Sequence, residues 1–256
     1  MPSLSVVIPV YNEEKTIGSV VDKLLRQLDS NTEIIIVDDA STDDTPRQIE
    51  LLRRSYSNIR CVRHPHNQGK TAALKTGFAE TTGDMVIVQD ADLEYDPSEI
   101  PAVIEPIVEG KAAVVYGSRF LVRRAARVVY FYHYIANKML TLLSNCFTNL
   151  NMTDVETGYK AFRGEIIRNM VISSTGFGFE IEVTAKVAKL KCPVYEVPIS
   201  YYGRTYEEGK KITAWDGLAA LWYIFKYNVL CSRARSFHHF ERIEPEVAAA
   251  LAASRH

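Results

Sequence analysis

The hydrophobic and polar positions of this chain alternate in blocks that predict strands and helices in turn. LSVVIPV, residues 4–10, is a Val- and Ile-rich run that reads as a strand buried on both faces. Residues 15–28 then place Ile17, Val20, Val21, Leu24, Leu25 and Leu28 at helical spacing. EIIIVDD (33–39) predicts a second strand, and Thr45 followed by Pro46 predicts the N-cap and first residue of a helix through RQIELLRRS. IRCVRH (59–64) is a short third strand, GKTAALKTGFAET (69–81) a helix and MVIVQD (85–90) a fourth strand. Asp96-Pro97-Ser98-Glu99 has capping-box spacing and opens another helix, made irregular by Pro101 and Pro106. AAVVYGSR (112–119) is a fifth strand. Strands separated by helices predict an α/β fold with a parallel sheet covered on both faces. Further on, residues 194–199 predict a strand, 200–212 a polar loop, and the chain from about Thr213 a helix.

Composition narrows the classes. The chain has 256 residues, 47% hydrophobic and 24% charged, enough for one large domain or two small ones. A net charge of −1 gives no electrostatic ground for binding nucleic acid. Cys61, Cys146, Cys192 and Cys231 are far apart, as in a reduced cytoplasmic protein. The N-terminus lacks a basic start and its apolar run is broken by Pro9, so it reads as a first strand rather than a signal peptide. No stretch reaches the ~20 apolar residues of a membrane span.

Sheets of this kind bind ligands beyond the carboxyl ends of their strands. There the chain places Tyr11, Asn12 and Glu13, then Asp38, Asp39, Ser41, Thr42 and Asp43, then Asp90, Asp92 and Glu94, then Gly117, Ser118 and Arg119. Asp38 and Asp39 could each simply cap a turn, but three acidic strand ends converging on one rim call for positive charge. Two nucleotide motifs are absent: no GxGxxG follows a strand, and the P-loop glycine five residues before Gly69 is replaced by His64. Lys70 nevertheless opens a helix on that rim, where an ammonium and helix N–H groups suit an anion.

VVIPVYNEEKTI, IIIVDDASTDDT, HNQGKTAALKTGF, GDMVIVQDADLEYDP and VYGSRF together resemble the inverting family-2 glycosyltransferases of GT-A fold. ETGYKAFR, FGFEIEVTAKVAK, EVPISYYGRTYEEGKKI and WDGLAAL are similar to the branch of dolichol-phosphate mannosyltransferases and related polyprenyl-phosphate hexosyltransferases. The resemblance covers roughly residues 4–225. It implies a Rossmann-like, mostly parallel sheet and an Asp-x-Asp that meets Mg²⁺ or Mn²⁺ on the diphosphate of a nucleotide sugar. Asp92 is then a direct metal ligand, Asp90 ligates the metal or orients the sugar, and Glu94 takes the third acidic place if the chain stays extended. By the same carry-over Pro9, Tyr11, Glu13, Asp38 and Asp39 hold base and ribose, and Lys70 and Gln89 line the donor pocket. GDP and UDP both remain open.

The second half is expected to carry the acceptor site. Arg204 and Lys210 match positions that close over phosphate in the resembling family, and Arg119 is a further phosphate ligand on the nucleotide-sugar side. Residues 121–143 join Arg123, Arg124 and Arg127 to an aromatic-rich run, which suits a helix lying on a membrane surface or a core helix with basic ends. A polyprenyl phosphate acceptor is largely ionised already and needs no general base. No Glu-Asp base motif is present, and Glu180 is the reserve base. The expectation is one catalytic domain over 1–230, with 1–119 for the nucleotide sugar and 120–230 for the acceptor, and a C-terminal tail over 231–256. Its activity would be metal-dependent transfer of a hexose, mannose from GDP-mannose first, to a polyprenyl phosphate, in the cytoplasm or peripheral at the cytoplasmic membrane face. The alternatives are a UDP-sugar donor of glucose or an N-acetylhexosamine, a soluble acceptor, and a nucleotide-sugar-binding module without turnover.

Overall fold

β1 (Leu4–Val10) lies near the middle of a seven-stranded sheet, with β2 (Glu33–Asp38) on one side and β4 (Met85–Val88) on the other, both parallel to it. The computed structural model describes residues 2–121, 128, 130–176, 178–203 and 214–253 of the chain. β3 (Ile59–Arg63) extends the sheet beyond β2; β6 (Lys160–Arg163), β5 (Val114–Ser118) and β7 (Val194–Pro198) extend it beyond β4, in the order β3-β2-β1-β4-β6-β5-β7. The inner strands have no wet face, which is why they read as continuous Val/Ile runs.

Alternate residues of β1 feed two cores. Val6 and Ile8 pack with Ile17, Val20, Val21 and Leu24 of α1 (Ile17–Gln27) and with Ile100 and Val103 of α4 (Ile100–Val108). Val7 packs on the other face with Leu74 and Phe78 of α3 (Lys70–Glu80) and with Phe179 and Val183 of α7 (Phe179–Leu190). α2 (Thr45–Ser55) packs beside α1 and β3.

Three expectations need correction. Thr45 is not a cap: it lies inside α2, its own N–H donates to Asp43 Oδ1 (3.0 Å), and its hydroxyl accepts from the Glu13 N–H. Asp96 does cap, accepting from Ser98 N–H at 3.1 Å, but Glu99 turns away from the box to take the backbone and side chain of Ser200. The sheet is mostly parallel, as the resemblance implies, with β6 running antiparallel to both β4 and β5. The four residues of β6, Lys160 to Arg163, carry too little apolar pattern to announce a strand. The segment from 231 is not an appended tail. α9 (Phe240–Ala253) packs against α6 (Gly164–Arg168), buries Ile243 and Ala250, and ties Glu246 to Arg163 at 2.7 Å.

The helix expected within 121–143 is α5 (Phe131–Thr148), and it is a surface element rather than a core one. α5 packs on α7 and on α8 (Ala214–Phe225), which continues into a π-helical turn, Lys226–Leu230. No described helix is long and apolar enough to cross a membrane.

Candidate active site

The carboxyl ends of β1, β2 and β4 do converge. Beyond β1 the chain turns at Asn12, whose φ of 54° is left-handed and whose side-chain oxygen accepts from the Thr42 N–H at 2.8 Å. This joins the 11–14 turn to the 38–45 turn. Pro9 is half-buried near the end of β1, and the Tyr11 ring is exposed just past it. Glu13 Oε2 accepts from the Thr16 hydroxyl at 2.8 Å at the entry to α1.

Asp38 and Asp39 divide their roles. Asp38 is buried; its Oδ1 accepts from Ser41 N–H at 2.9 Å and its Oδ2 lies 3.1 Å from Arg63 Nε, with no well-directed hydrogen bond among the described residues. That oxygen fits an N–H of a base or a ribose hydroxyl. Asp39 faces inward instead: it accepts from the N–H groups of Gln68 (2.9 Å) and Gly69 (2.7 Å) and meets His64 Nδ1 at 2.7 Å. It thereby fixes the loop that delivers Lys70. Gly69, at φ 88°, lets that loop enter α3.

Lys70 is the positive group behind the acidic end of β4. Its Nζ lies 2.9 Å from Asp90 Oδ1 and 3.4 Å from Glu180 Oε1. Burial alone would lower its pKa, but Asp90 and Glu180 outweigh that and hold the ammonium charged well above its usual range. After Asp90 the strand does not stay extended. Leu93 takes a left-handed φ of 61°, so Asp92 Oδ1 accepts from Glu94 N–H at 3.1 Å, and Glu94 Oε2 turns to the Tyr201 hydroxyl at 3.0 Å. Glu94 is therefore not aligned with Asp92 along one strand face.

A divalent ion fits this donor chemistry. The described residues include no set of three His, Cys, Asp or Glu that would hold a metal unaided. A hard cation of the Mg²⁺ type needs less, since one or two carboxylates plus substrate phosphate oxygens and water complete its shell. Asp90 and Asp92 supply two carboxylates at the rim.

Gln89 and Arg119 are engaged elsewhere. The fully buried Gln89 accepts from the Tyr159 hydroxyl at 2.9 Å and donates to Asp90 O at 3.0 Å, so it braces the Asp-x-Asp turn from behind. Arg119 grips Asp154 with two side-chain bonds of 2.7 Å, and its guanidinium lies 5.2 Å from the centre of the Tyr201 ring. Burial opposes its charge, but Asp154 raises its pKa further. A guanidinium so matched is a brace, not an open phosphate ligand.

Sequence reasoning passed over Asp154, Glu156, Tyr95 and Lys160. The 154–160 segment crosses the end of β4: Tyr95 hydroxyl accepts from Gly158 N–H at 3.0 Å, and a Cβ at Gly158 would sit 2.5 Å from Asp90 Oδ2. Only glycine permits that approach. Burial, and next the charge of Glu180, push the Glu156 carboxyl up to about 7. Burial pulls the Lys160 ammonium down to about 8 against the attraction of Glu180 and Glu156. Nothing in the spacing of ETGYK marks these residues as charged groups beneath the rim.

The polar loop starts at this site. Tyr202 N–H donates to Glu94 O at 2.9 Å, and the Tyr201 and Tyr95 backbones bridge. Arg204 and Lys210, like Arg123, Arg124 and Arg127, lie outside the described residues.

Comparison with known proteins agrees with this architecture. A dolichol-phosphate mannosyltransferase of Pyrococcus furiosus is 30% identical over 210 residues, covering 81% of this chain and 58% of that protein. An undecaprenyl-phosphate mannosyltransferase of Micrococcus luteus is 28% identical over 84% of this chain and 94% of its own length. Among solved structures, glucosyl-3-phosphoglycerate synthase of Mycobacterium tuberculosis, in complex with Mn²⁺, UDP and phosphoglyceric acid, superposes with a TM-score of 0.68 at 22% identity, over 89% of this chain and 79% of that one. The chain thus spans a little over half the length of the Pyrococcus relative and nearly all of the Micrococcus one. The sheet and helices are those of the GT-A fold, and the family model for glycosyl transferase family 2 matches residues 5–171, so the chain belongs to that family.

Proposed function

We propose that this chain transfers a hexose from a nucleotide sugar to a polyprenyl phosphate. The observation that carries this is the joint Lys70–Asp90–Glu180 cluster beside Asp92, at the carboxyl end of β4 and against the start of the polar loop. It gathers an acidic rim that a divalent cation with its bound diphosphate would balance, beside a loop whose sequence carries two further cations, Arg204 and Lys210. The named activities of the Pyrococcus and Micrococcus relatives support the same acceptor class.

Asp90 and Asp92 would hold Mg²⁺ or Mn²⁺, which when bound stabilises the charge growing on the departing nucleoside diphosphate. The chain's own residues do the rest. Tyr11 offers its ring to the base, and the unbonded oxygen of Asp38 takes an N–H or hydroxyl of the nucleoside. Lys70 offsets one of the two charges of Asp90 and Glu180, and the bound cation would balance the remainder against the donor's phosphates. Arg204 and Lys210 hold the acceptor phosphate, whose ionised oxygen attacks the anomeric carbon without a base.

The acceptor's lipid explains the outer face of α5 and α8. Phe131 (67% exposed), Tyr132 (86%) and Met139 (59%) on α5 stand out into solvent, as does Trp222 (55%) on α8, and α5 has no acidic residue. Exposed apolar side chains grouped on packed neighbouring helices suit a contact with a partner or membrane. Three arginines immediately precede α5 in the sequence, and an anionic bilayer surface satisfies both.

The test is thermal unfolding with GDP-mannose, UDP-glucose and UDP-N-acetylglucosamine, each with and without Mn²⁺, followed by transfer to polyprenyl phosphate using the donor that stabilises. A ligand that binds the folded state alone raises the midpoint by mass action. Stabilisation by none of these donors would overturn the donor reading. Stabilisation with donor hydrolysis but no transfer to lipid phosphate would overturn the acceptor.

A further inference from the structure

Two buried carboxylate oxygens beneath the rim have no hydrogen-bond partner among the described residues: Glu180 Oε2 and Glu156 Oε1. Glu180 is 95% buried, in the first turn of α7, with its other oxygen toward Lys70. Glu156 lies on the 154–160 segment that presses on Asp90 at Gly158. Lys70 joins Asp90 to Glu180, so both orphaned oxygens belong to segments that meet Asp90 at the end of β4. A buried carboxylate oxygen left unbonded costs free energy, so it points to a donor supplied from outside the protein.

The neighbouring lysines do not supply it. Lys160 spends its ammonium on the carbonyls of Val155 and Thr157, and Lys70 lies on Asp90 and on the opposite oxygen of Glu180. Two lysines therefore face three carboxylates. The unbonded oxygens of Glu156 and Glu180 therefore suit hydrogen-bond donors and not phosphate oxygens. A hexose brings several hydroxyls, and the sugar of a nucleotide sugar necessarily sits next to its diphosphate.

We propose that Glu156 and Glu180 form the hexose subsite, their unbonded oxygens accepting hydrogen bonds from hydroxyls of the donor sugar. This rests on the nucleotide-sugar reading above and assigns the sugar to the β4–α7 side of the site. The pair selects the sugar and leaves the nucleotide to Tyr11, Asp38 and the Asp-x-Asp.

Calorimetric titration in Mn²⁺ tests it, using whichever of GDP-mannose and UDP-glucose binds the parent more tightly, its bare nucleoside diphosphate, and its monodeoxy-sugar analogues. Glu156→Gln should leave nucleoside diphosphate affinity unchanged and weaken the nucleotide sugar about ten- to a hundredfold, the loss of one strong acceptor, and Glu180→Gln, which also touches Lys70, should weaken the nucleotide sugar by more than it changes the diphosphate. At least one deoxy analogue should bind the parent more weakly than the full sugar but bind the variant equally well, a pattern that a merely structural role does not produce. Glu156→Asp, which keeps the charge but withdraws the oxygen, should show the same selective loss and serves if a Gln variant does not fold. Equal weakening of diphosphate and sugar, or retained preference for every hydroxyl, overturns the subsite. A parent that binds neither nucleotide sugar overturns the donor reading itself.

Discussion

Lys70 Nζ lies 2.9 Å from Asp90 Oδ1 and 3.4 Å from Glu180 Oε1, so one ammonium joins the end of β4 to the first turn of α7. Lys70→Met keeps the volume of the stem and removes the charge. Two carboxylates are then left uncompensated in a largely buried position, which should lower stability by about 1–3 kcal/mol. Donor binding should fall with it. Urea denaturation and donor titration check both; a variant as stable as the parent and binding donor equally would remove Lys70 from the site.

Asp92→Asn should abolish transfer while leaving the thermal midpoint near that of the parent, because an amide oxygen can still accept from the Glu94 N–H but cannot balance a divalent cation. EDTA should silence the parent, and added Mn²⁺ or Mg²⁺ restore it. Full transfer in chelator without added metal refutes the assignment.

The Glu156 carboxyl gives a pH signature in stability. Unfolded, it ionises near 4.5; folded, burial and Glu180 push it up to about 7. Between those values the folded chain keeps a proton that the unfolded chain has released, so stability is lost as pH rises through the window. Below it the group contributes nothing, and above it the loss is complete. Glu156→Gln carries no such proton. The parent's midpoint should fall relative to the variant's from about pH 4.5 to about pH 7 and then run parallel. Lys160, pulled down to about 8 from 10.5, acts in the opposite sense at higher pH, where stability recovers as pH rises, so the comparison belongs below pH 8. Parallel midpoints throughout the window would show that Glu156 ionises normally.

The α5–α8 face should bind vesicles. Phe131→Ser with Trp222→Ser, and separately Arg123, Arg124 and Arg127 all to Glu, should each reduce sedimentation with anionic liposomes, the second change more strongly at low salt. Activity on a water-soluble short-chain acceptor should be retained. Unchanged sedimentation in both variants rules out docking through this face.

Arg204→Ala and Lys210→Ala should depress transfer to lipid phosphate about ten- to a hundredfold each, the loss of one charge-assisted contact. Donor affinity should suffer less. If calorimetry shows donor binding falling as steeply as transfer, the loop serves the donor diphosphate, and the acceptor phosphate needs the arginines ahead of α5.

The sequence by itself determined the strands and helices of the first half and the acidic rim. β1, β2 and β4 are legible because a strand buried on both faces is an unbroken apolar run, and α1 because its buried residues recur at helical spacing. The acidic strand ends and Lys70 are legible because ligand sites of parallel sheets collect at carboxyl ends, whatever the side chains do next. The tertiary structure alone decided which way each polar side chain turned. Asp38 and Asp39 are adjacent, yet one presents an unbonded oxygen and the other fastens the loop before α3. Gln89 and Arg119, both strand-end residues, are consumed by Tyr159 and Asp154, partners 70 and 35 residues away. Glu156 became visible only when antiparallel β6 carried its segment across the end of β4. Apolar periodicity records which face of an element is dry, a local property. The partner of a buried charge is set by contacts between distant segments, and these exist only once the sheet has assembled.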